Sequence, residues 1–500
     1  MNYFRIINNE KWLSNFALVL VLASIIIYSI FIQFLLPTFH EADEYYHIAA
    51  SSFLKDLGPR YDFHWAQFST FKRFFSDKEF LFHLLTIPFL SLSQNLVLDG
   101  KYAIIFFDIL FILTYAFILK RYLPTFLAAC CLLLPFVNFT FITYFVRLRP
   151  VILANILTIL GIYFLINKKW IRVFIVSFLY PLTHISFLTL LIFALACELI
   201  RYILNKDFFI RNIYATVIGV LLGCALHPNN PNNWLSMHLN AILVPFYTTV
   251  GGIGGFGREL YSASSKAALV FNFSIFLAFY LVIWMAFLSR VKLSLATLVW
   301  WFCSSFYLAL SFLGFRYWHV ANVLFFIFFA SYIKDWLIDK PKGLVISRAR
   351  IFIIASSLIL GIFFFPNIQT QANTMLASTI RNTAYEKVAI WMNKNIPPGE
   401  TVYHTSWSAS PYFICLNPKD NYLVVLDPIY MFYKYPKIYK LYLDLNTGNI
   451  KRPYKFLKHI FKTAYGYADK NGGLYRQIKK QKSYFKIIYE NDFGIVFKVL

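Results

Sequence analysis

Long uninterrupted apolar segments recur through the first 366 residues of this chain. Most are about 17–22 residues long, about the length of α-helix that crosses the hydrocarbon core of a bilayer. Only helices and closed barrels satisfy every backbone polar group inside a membrane, and barrels show short alternating strands instead of long apolar runs. The segments therefore predict a polytopic α-helical membrane protein, and a composition of 59% hydrophobic and 14% charged residues agrees with this class.

We predict about eleven membrane spans from these segments. They are residues 13–36, 102–119, 124–142, 150–166, 171–185, 186–203, 212–227, 268–289, 293–313, 318–334 and 350–366. The first segment is too long for the apolar core of a signal peptide and lacks a small-residue cleavage site, so we expect it to be a retained span.

The distribution of basic residues predicts the orientation of the chain. Lys and Arg collect in the cytoplasmic loops of membrane proteins, and an N-terminus inside makes every predicted inner loop basic. Those loops are residues 120–121, 167–172, 201–211, 290–292 and 334–350. The apolar residues 80–95 are predicted to form a helix at the outer interface, because counting them as a span would turn the basic loops outward. The odd number of spans then places the C-terminus outside, and we expect a bacterial inner (plasma) membrane.

The net charge of +24 follows from this topology and from contact with anionic lipid. Because the basic residues are spread through the loops between apolar segments, they do not indicate a nucleic-acid-binding protein. An anionic lipid-linked substrate would be attracted by the same positive field.

Two long outer loops and a C-terminal region interrupt the helical pattern. The first loop covers residues 37–101, and the second, 228–267, opens on an Asn- and Pro-rich stretch and contains a glycine-rich run. That run lacks the Gly-Lys-Ser/Thr ending of a phosphate loop, so it is either a flexible loop or a segment that closes over a substrate. We predict a transmembrane catalytic domain at 1–366 and an extracytoplasmic α/β domain at 367–500. In the latter we expect helices near 384–395, 435–445 and 453–464, strands near 400–404 and 422–426, and a hairpin around Asn491 and Asp492.

An acidic cluster follows the first span at once, in a chain with 47 Lys and Arg but only 23 Asp and Glu. Residues 40–47 read His-Glu-Ala-Asp-Glu-Tyr-Tyr-His. A carboxylate at the mouth of a helical bundle can hold a divalent cation or accept a proton from an attacking hydroxyl. The same acids also suit a helix N-terminus, where they complement the dipole. Spacing alone leaves both interpretations open.

This cluster resembles the first-loop motif of the GT-C superfamily of membrane glycosyltransferases. The run from Asp43 to His47 is similar to the Asp-x-Tyr-Tyr-His-like motif of oligosaccharyltransferase catalytic subunits, and His40 to Glu44 is similar to the His-Pro-Asp-Glu of the mannosyltransferases that build glycolipid anchors. Trp391 to Gly399 resembles the Trp-Leu-x-x-Asn-x-Pro stretch that opens the C-terminal domain of oligosaccharyltransferase-like proteins. The long first loop and the outer C-terminal domain also look like that superfamily.

The resemblance implies that Asp43 is the catalytic base, or a ligand of Mg²⁺ or Mn²⁺, with Glu44 and Glu41 in support. It implies a donor sugar linked to a polyprenyl phosphate or diphosphate in the outer leaflet. Arg316 matches an arginine in the family's Arg-Phe-x-x-Tyr-like segment that contacts the lipid phosphate. No other cofactor is expected.

Further substrate-binding candidates are Arg147, Arg149, His184 and, within the motif, Tyr46 and His47. The planar guanidinium of arginine suits phosphate because it offers paired hydrogen bonds. Snorkelling to lipid headgroups is the alternative for the predicted outer-face arginines, and a hydrogen bond to a neighbouring helix is the alternative for His184.

Two departures from the family pattern bear on mechanism and acceptor. The loop at 144–150 contains no acid where oligosaccharyltransferases carry a second acidic motif, so a metal-independent mechanism is at least as good an interpretation. The Trp-Trp-Asp-Tyr-Gly-like signature that recognises an acceptor sequon is absent, which leaves a lipid, a glycan or a protein as acceptor. The predicted function is sugar transfer from a polyprenyl-phosphate-linked donor on the extracytoplasmic face. The rivals are a transporter or flippase of lipid-linked glycan, which would carry charges deep in its spans, and a non-catalytic envelope assembly protein.

Overall fold

The computed structural model separates the chain into two compact units. The described residues are 2–251, 253, 255–288, 291–338, 369–370 and 373–500, with side chains from residue 11 onward. The helical unit comprises Met1–Leu35, Tyr102–Ala225 and Arg258–Thr374, and the mixed unit comprises Leu36–Lys101, Leu226–Gly257 and Met375–Leu500. The first predicted outer loop and the C-terminal region thus belong to the same unit. The predicted domain boundary at residue 366 lies outside the described residues.

Helices make up most of both units. In chain order they are α1 (Asn2–Leu35), α2 (Ala42–Leu57), α3 (Phe80–Thr86), α4 (Leu96–Tyr122), α5 (Thr125–Leu133), α6 (Phe139–Phe145), α7 (Val151–Ile166), α8 (Trp170–Leu179), α9 (Leu188–Asn205), α10 (Ile210–Ala225), α11 (Asn232–His238), α12 (Val244–Val250), α13 (Ser265–Phe271), α14 (Phe273–Leu288), α15 (Leu295–Leu313), α16 (Trp318–Ile338), α17 (373–395), α18 (Ser410–Leu416), α19 (Ile429–Phe432), α20 (Pro436–Thr447), α21 (Pro453–His459) and α22 (Gly473–Lys480).

Five of the described helices are long and apolar enough to cross a membrane. They are Lys11–Leu35, Leu96–Tyr122, Ile185–Asn205, Leu295–Leu313 and Phe315–Ile338. Two bent helix pairs would raise the number to seven, and they coincide with the predicted spans at 124–142 and 268–289. The protein is therefore an integral membrane protein, as predicted, but the count of about eleven spans is not confirmed.

Four predicted spans account for the difference in number. Helices α7, α8 and α10 coincide with the predictions at 150–166, 171–185 and 212–227, but they have only 10–17 residues. A predicted span at 350–366 lies outside the described residues. The apolar stretch at 80–95, predicted as an interfacial helix, forms a short helical segment over Phe80–Phe89.

Asparagine marks the break in both bent helix pairs. The chain turns by 89° between Val137 and Phe139 and by 81° between Phe271 and Phe273, so Asn138 and Asn272 occupy the breaks. Both side chains are buried and both bond to Asn322 of α16; the Asn322 amide donates to the Asn272 carbonyl oxygen at 3.0 Å. These side chains supply partners at positions where the regular helical hydrogen bonds are interrupted.

A buried charged pair joins two neighbouring helices of the helical unit. The Glu198 carboxylate on α9 accepts from Arg201 Nε at 3.0 Å and from the Asn212 amide on α10 at 2.7 Å. Arg201 also donates to the Leu165 carbonyl oxygen at 2.8 Å at the end of α7. Glu198 is 0% and Arg201 is 4% exposed, so these hydrogen bonds satisfy ionised groups that water does not reach.

A five-stranded mixed sheet forms the centre of the C-terminal region. Its strands are β1 (Thr401–His404), β2 (Asn421–Tyr422), β3 (Tyr465–Asp469), β4 (Phe485–Glu490) and β5 (Gly494–Val499), in the order β2-β1-β3-β5-β4. β1 runs parallel to β2 and β3, whereas β5 runs antiparallel to β3 and β4. The predicted α/β character, the strand at 400–404 and the C-terminal hairpin are confirmed.

The central strand β3 was not predicted from the sequence. Its sequence, Tyr-Gly-Tyr-Ala-Asp, contains a glycine that weakens the strand pattern. In the sheet Gly466 pairs with Phe497 of β5, and a Cβ atom on Gly466 would lie only 2.4 Å from the end of the Phe497 ring. The glycine is therefore needed for packing across the strands, which local propensity does not reveal.

The first outer loop extends this sheet at its β2 edge. Gln67 N donates to the Tyr422 carbonyl oxygen at 2.8 Å, and Tyr422 N donates to Trp65 O at 2.6 Å. The Trp65 indole also donates to the Pro418 carbonyl oxygen at 2.7 Å. These bonds pair the otherwise open edge strand and hold the loop that carries the acidic cluster against the C-terminal region.

Candidate active site

The acidic cluster forms the start of α2. Glu41 is the N-cap residue, and the carboxylate of Glu44 accepts from the His40 and Glu41 backbone amides at 2.7 and 2.9 Å. This is the reciprocal capping arrangement that satisfies the open amides at a helix N-terminus. Asp43 lies half-buried in the first turn, where the helix dipole favours negative charge. The structure therefore gives Glu44 and Glu41 a helix-capping role.

Aromatic and polar contacts hold α2 against the C-terminal region within the mixed unit. The Tyr45 hydroxyl donates to Glu386 Oε1 on α17 at 2.6 Å, and its ring packs 4.3 Å from the ring of Tyr412 on α18. The Asn382 amide on α17 donates to the Phe39 carbonyl oxygen at 2.7 Å, just before the cap. The Tyr45 side chain is 0% exposed, so this motif residue is a packing anchor for the helix that carries Asp43.

A buried chain of one carboxylate and two imidazoles lies beside the same helix. His47 Nδ1 is 2.8 Å from His83 Nε2, and His83 Nδ1 is 2.8 Å from both carboxylate oxygens of Asp77. All three side chains are almost fully buried, and the ring of Tyr46 packs 6.1 Å from the ring of His83. His47 and Tyr46 were predicted site residues, whereas Asp77 and His83 were not, although His83 lies within the apolar stretch at 80–95 and Asp77 lies shortly before it.

The second outer loop supports this chain at Asp77. The Asp77 backbone amide donates to Asn229 Oδ1 at 3.0 Å, and the Asn229 amide donates to the Arg60 carbonyl oxygen at 2.5 Å. Asn229 also donates its backbone N–H to His227 Nδ1 at 3.0 Å. The Asn-rich stretch predicted as non-helical thus ties two parts of the first loop together around a buried carboxylate.

Protonation of His83 should make the stability of the mixed unit depend on pH. Burial by itself lowers the pKa of His83, but the Asp77 charge and hydrogen bond, with help from Glu79 and against Lys78, raise it above its ordinary value. A raised histidine pKa stabilises the fold fully below about pH 6.5, the unfolded value, and this contribution is lost as pH rises through the folded pKa. We expect Asp77→Asn to lower the melting temperature more at pH 6 than at pH 9.

Thermal unfolding in detergent between pH 5.5 and 9 measures this difference. Asp62→Asn is the matched control, because Asp62 lies in the same loop and pairs with Arg60 with both side chains more than a third exposed. We expect little effect from that variant at any pH. A loss of stability from Asp77→Asn that stays constant across the pH range would contradict the assigned His83–Asp77 pair.

Three arginines surround one glutamate in the helical unit, and we name Arg147, Arg149 and Arg316 the arginine cluster. Arg147 and Arg149 follow α6, and Arg316 precedes α16 in the short turn Phe315–Tyr317. Glu259 lies in another short turn, Arg258–Leu260. A backbone bond of 2.9 Å from Phe315 N to the Tyr261 carbonyl oxygen joins the two turns. The tertiary structure thus brings together predicted phosphate-binding residues from distant parts of the chain.

The arginine cluster places three guanidinium groups around one carboxylate. Arg149 Nη1 and the Tyr144 hydroxyl each lie 3.0 Å from Glu259 Oε2. Burial raises the pKa of Glu259, but Arg149, Arg316 and Arg147 lower it more strongly, to about 2. The carboxylate is therefore ionised at neutral pH. Arg149 is only 10% exposed and forms an ion pair with Glu259. The structure therefore favours a cluster of interacting side chains over arginines that extend independently to lipid headgroups.

Aromatic rings support the same arginines. The guanidinium of Arg149 lies 5.4 Å and that of Arg147 5.7 Å from the centre of the Tyr144 ring. Arg316 lies 5.3 Å from the centre of the Tyr317 ring. Glu259 was not among the predicted site residues. Its sequence signal is weak: it is an acid that follows shortly after the glycine-rich run, in an acid-poor chain.

His184 has a local structural role in the helical unit. It is the N-cap of a short helical turn, and its Nδ1 lies 2.7 Å from the Ser186 hydroxyl. Ser186 in turn lies 2.8 Å from the Tyr180 hydroxyl. His184 and the arginine cluster belong to the helical unit, whereas Asp43, Glu44, Glu41, Tyr46 and His47 belong to the mixed unit.

The residues around Asp43 do not make a ready metal site by themselves. Among the described residues, no group of three or more His, Cys, Asp and Glu side chains is arranged to hold a metal ion. Near Asp43, the Glu44 carboxylate is already taken by two backbone amides. A Mg²⁺ or Mn²⁺ ion at Asp43 therefore stays a prediction.

No protein-family model matches this chain, and no curated protein matches its sequence significantly. Solved structures do match. The archaeal oligosaccharyltransferase AglB from Archaeoglobus fulgidus, in complex with an inhibitory peptide and a dolichol-phosphate, gives a TM-score of 0.61 at 12% identity over 92% of this chain and 70% of that one. ArnT from Cupriavidus metallidurans, bound to undecaprenyl phosphate, gives 0.58 at 10% identity over 96% of this chain and 97% of that one.

A further structure of the Archaeoglobus fulgidus oligosaccharyltransferase, in complex with Zn and sulfate, gives a TM-score of 0.59 at 12% identity over 95% of this chain and 72% of that one. At such identities the likeness is one of fold. The match over nearly the whole of ArnT indicates that the resemblance extends beyond the first-loop motif. The chain has the fold of AglB and ArnT, in agreement with the fold that the resemblance of its first-loop motif implied.

Proposed function

We propose that this protein is a membrane glycosyltransferase that moves a sugar from a polyprenyl-phosphate-linked donor to an acceptor at the extracytoplasmic face. The observation that carries the proposal is the arginine cluster, in a fold shared over 96% of the chain with an enzyme whose structure holds undecaprenyl phosphate. Transport is less well supported, because the buried charged pair Glu198–Arg201 bonds to helix ends and neighbouring side chains.

Phosphate recognition follows from the charge of the arginine cluster. A phosphate offers several acceptor oxygens and a negative charge, and guanidinium groups match both with paired, charge-assisted hydrogen bonds. Glu259 holds Arg149 through a contact of 3.0 Å, which positions that guanidinium in the arginine cluster. The arginines would hold the donor's phosphate and stabilise it as it leaves.

The transfer step requires a proton acceptor, and we assign that role to Asp43. The acceptor hydroxyl attacks the anomeric carbon, its proton passes to the Asp43 carboxylate, and the bond from the anomeric carbon to the phosphate oxygen breaks. The electron pair of that bond stays on the polyprenyl phosphate, whose charge the arginines neutralise. The position of Asp43 in the first turn of α2, where the helix dipole favours a carboxylate, supports this choice, and Glu44 caps the same helix.

Tyr46, His47 and His184 are proposed as residues that shape the substrate site. The hydrogen-bonded chain from His47 through His83 to Asp77 would fix the orientation of the His47 ring, as second partners of histidines commonly do. The acceptor is a lipid, a glycan or a protein, and the missing sequon-recognition signature argues against N-glycosylation.

Removal of a guanidinium group from the arginine cluster should weaken binding of the lipid phosphate. We expect Arg316→Ala to reduce the affinity for undecaprenyl phosphate by roughly 10- to 100-fold, the loss typical of a charge-assisted hydrogen bond to an ionised partner. Arg316→Lys should recover only part of it, because an ammonium lacks the planar fork. Native mass spectrometry of the protein in nanodiscs, titrated with undecaprenyl phosphate, measures the affinity.

The control for this experiment is Arg172→Ala. Arg172 is an exposed arginine of the same unit whose guanidinium lies 5.5 Å from the centre of the Phe164 ring, so it also packs on an aromatic residue. We expect that variant to bind like the wild type. Equal binding by Arg316→Ala and the wild type, with both proteins folded, would refute the phosphate role.

A further inference from the structure

A strongly basic surface lies on the C-terminal region and contains none of the candidate site residues. Between residues 449 and 486 there are eleven Lys and Arg residues and a single acid, Asp469. The positive-inside rule does not account for this charge, because it concerns short loops close to membrane spans. A stretch of this kind is often no more than a solvated surface, so its three-dimensional arrangement decides whether it can bind a partner.

Three segments come together to form this surface, which we name the basic face: residues 451–458, 480–486 and 498–500. The Gln481 amide donates to the Lys451 carbonyl oxygen at 3.0 Å, and the Leu500 backbone amide donates to the Tyr484 carbonyl oxygen at 3.0 Å. Lys458 Nζ lies 3.4 Å from the main-chain oxygen of Leu500. None of the three segments contains an acidic side chain, and their Lys and Arg residues are all exposed.

The nearby acids do not neutralise the basic face. The carboxylate of Asp469 accepts from the hydroxyls of Tyr385 and Tyr467 at 3.0 Å and from that of Thr405 at 2.9 Å, so it is committed to the interior of the unit. Glu490, at the far end of β4, pairs with Lys470 at 2.9 Å. The positive charge of the face is therefore left to solvent or to a partner.

Two like charges face each other directly on this surface. Lys486 of β4 pairs with Lys498 of β5 in the antiparallel register, and both side chains are exposed. Like charges at directly opposite positions destabilise a sheet. Such a pair at the edge of the sheet is consistent with a surface selected for binding an anion rather than for stability alone.

An aromatic pair lies within the same surface. The rings of Tyr454 and Tyr484 stack with their centres 3.9 Å apart and their planes 2° from parallel. Tyr484 is 42% exposed, so part of this pair is accessible to solvent on a surface that also carries lysines. A flat apolar ring among cations suits a partner that has both negative charge and the flat faces of sugar rings.

We propose that the basic face binds an anionic glycan chain and, resting on the proposed function, that this chain belongs to the acceptor. The cations come from three separate segments of a folded region, none of which adjoins a described membrane span, whereas basic clusters that bind lipid headgroups commonly lie beside one. A linear polyanion carries repeated charges that can engage the three segments together. The face would hold the acceptor chain while its end receives the sugar.

Binding to soluble polyanions tests this proposal on the full-length protein in phosphatidylcholine nanodiscs. We expect fluorescent dextran sulfate and inorganic polyphosphate to bind, with an affinity that falls as salt is added, and neutral dextran of equal length not to bind. The triple variant Lys455→Glu, Lys480→Glu, Lys482→Glu should weaken the polyanion affinity at least about tenfold. The three side chains are exposed, so the fold should tolerate the change.

The control changes the net charge by the same amount elsewhere in the mixed unit. Lys387→Glu, Lys394→Glu and Lys440→Glu replace exposed lysines outside the basic face and should leave polyanion binding nearly unchanged. Equal weakening by the two triple variants would show attraction by net charge alone and would overturn the proposal. Binding of the wild type to phosphatidylglycerol vesicles but not to either soluble polyanion would also overturn it, in favour of membrane docking.

A second measurement separates this proposal from the proposed function. In a transfer assay with a polyanionic acceptor, the triple variant of the basic face should raise the KM for that acceptor and keep kcat, whereas Asp43→Asn should bind dextran sulfate normally and lose kcat. An unchanged KM in the triple variant would overturn the acceptor role. Absence of any transfer by the wild type, with polyanion binding intact, would count against the proposed transferase activity and not against the basic face.

Discussion

Asp43→Asn is expected to reduce sugar transfer by at least about 100-fold, the usual contribution of a positioned general base. Asparagine has nearly the same shape as aspartate and remains in the first turn of α2, but its amide cannot accept the proton of the acceptor hydroxyl. Release of undecaprenyl phosphate from a panel of undecaprenyl-phosphate-linked sugars measures the rate. Size-exclusion chromatography and thermal unfolding report whether the variant is folded. Unchanged transfer by a folded variant would remove Asp43 from the mechanism.

Glu44→Gln is the matched control for this experiment, because it alters the neighbouring acid of the same helix. The Glu44 carboxylate accepts two backbone amides, so its neutralisation should lower stability first, by about 1–3 kcal/mol, and the transfer rate of the folded fraction much less. If Glu44→Gln instead lost as much transfer as Asp43→Asn with its stability unchanged, Glu44 would be the proton acceptor.

Glu198→Ala is expected to cost about 3–5 kcal/mol of unfolding free energy, because it leaves the buried guanidinium of Arg201 without its counter-charge. The same change removes acceptors for the Asn212 amide and the Phe209 backbone amide. Reversible unfolding in mixed detergent and sodium dodecyl sulfate micelles measures the loss. The double variant Glu198→Ala, Arg201→Leu should lose less than Glu198→Ala alone, since it no longer buries an unpaired charge.

Asp207→Ala provides the comparison, because Asp207 forms an ion pair with Lys168 in which both side chains are well exposed. Exposed ion pairs contribute about 0–1 kcal/mol, so this variant should unfold almost as the wild type does. Equal losses of unfolding free energy from Glu198→Ala and Asp207→Ala would contradict this expectation. They would show that water can replace the hydrogen bonds around Glu198 and that these bonds do not hold α7, α9 and α10 together.

Much of the architecture could be predicted from the sequence because hydropathy and turn chemistry are local. The described long apolar runs form helices, the Asn- and Pro-rich stretch forms a turn that leads into α11 at Asn232, and the hairpin around Asn491 is present. Span length was less predictable. Helices α7, α8 and α10 are too short to span by themselves, and two others bend at Asn138 and Asn272, where buried amides from a distant helix compensate for the break.

The candidate site was only partly predictable. The position of Asp43 behind the first apolar segment is a sequence pattern, and the resemblance to one superfamily gave it a role that stays a prediction. Helix capping by Glu44 could be anticipated from the acids at a helix start, but spacing could not divide the roles among three neighbouring acids. Asp77 and His83 gave little signal, because each is an ordinary residue until the fold buries them together.

The sequence alone determined that this is a helical membrane protein with a polar C-terminal α/β region, because apolar length and composition decide which solvent a segment prefers. Only the tertiary structure decided which charges act together. Arg149 and Glu259 are 110 residues apart, and Asp77 and Asn229 are 152 apart, yet each pair is joined at 3.0 Å. Partner choice between buried polar groups depends on the packing of whole helices and loops, since an ionised or polar group removed from water must find its counterpart wherever the fold brings one.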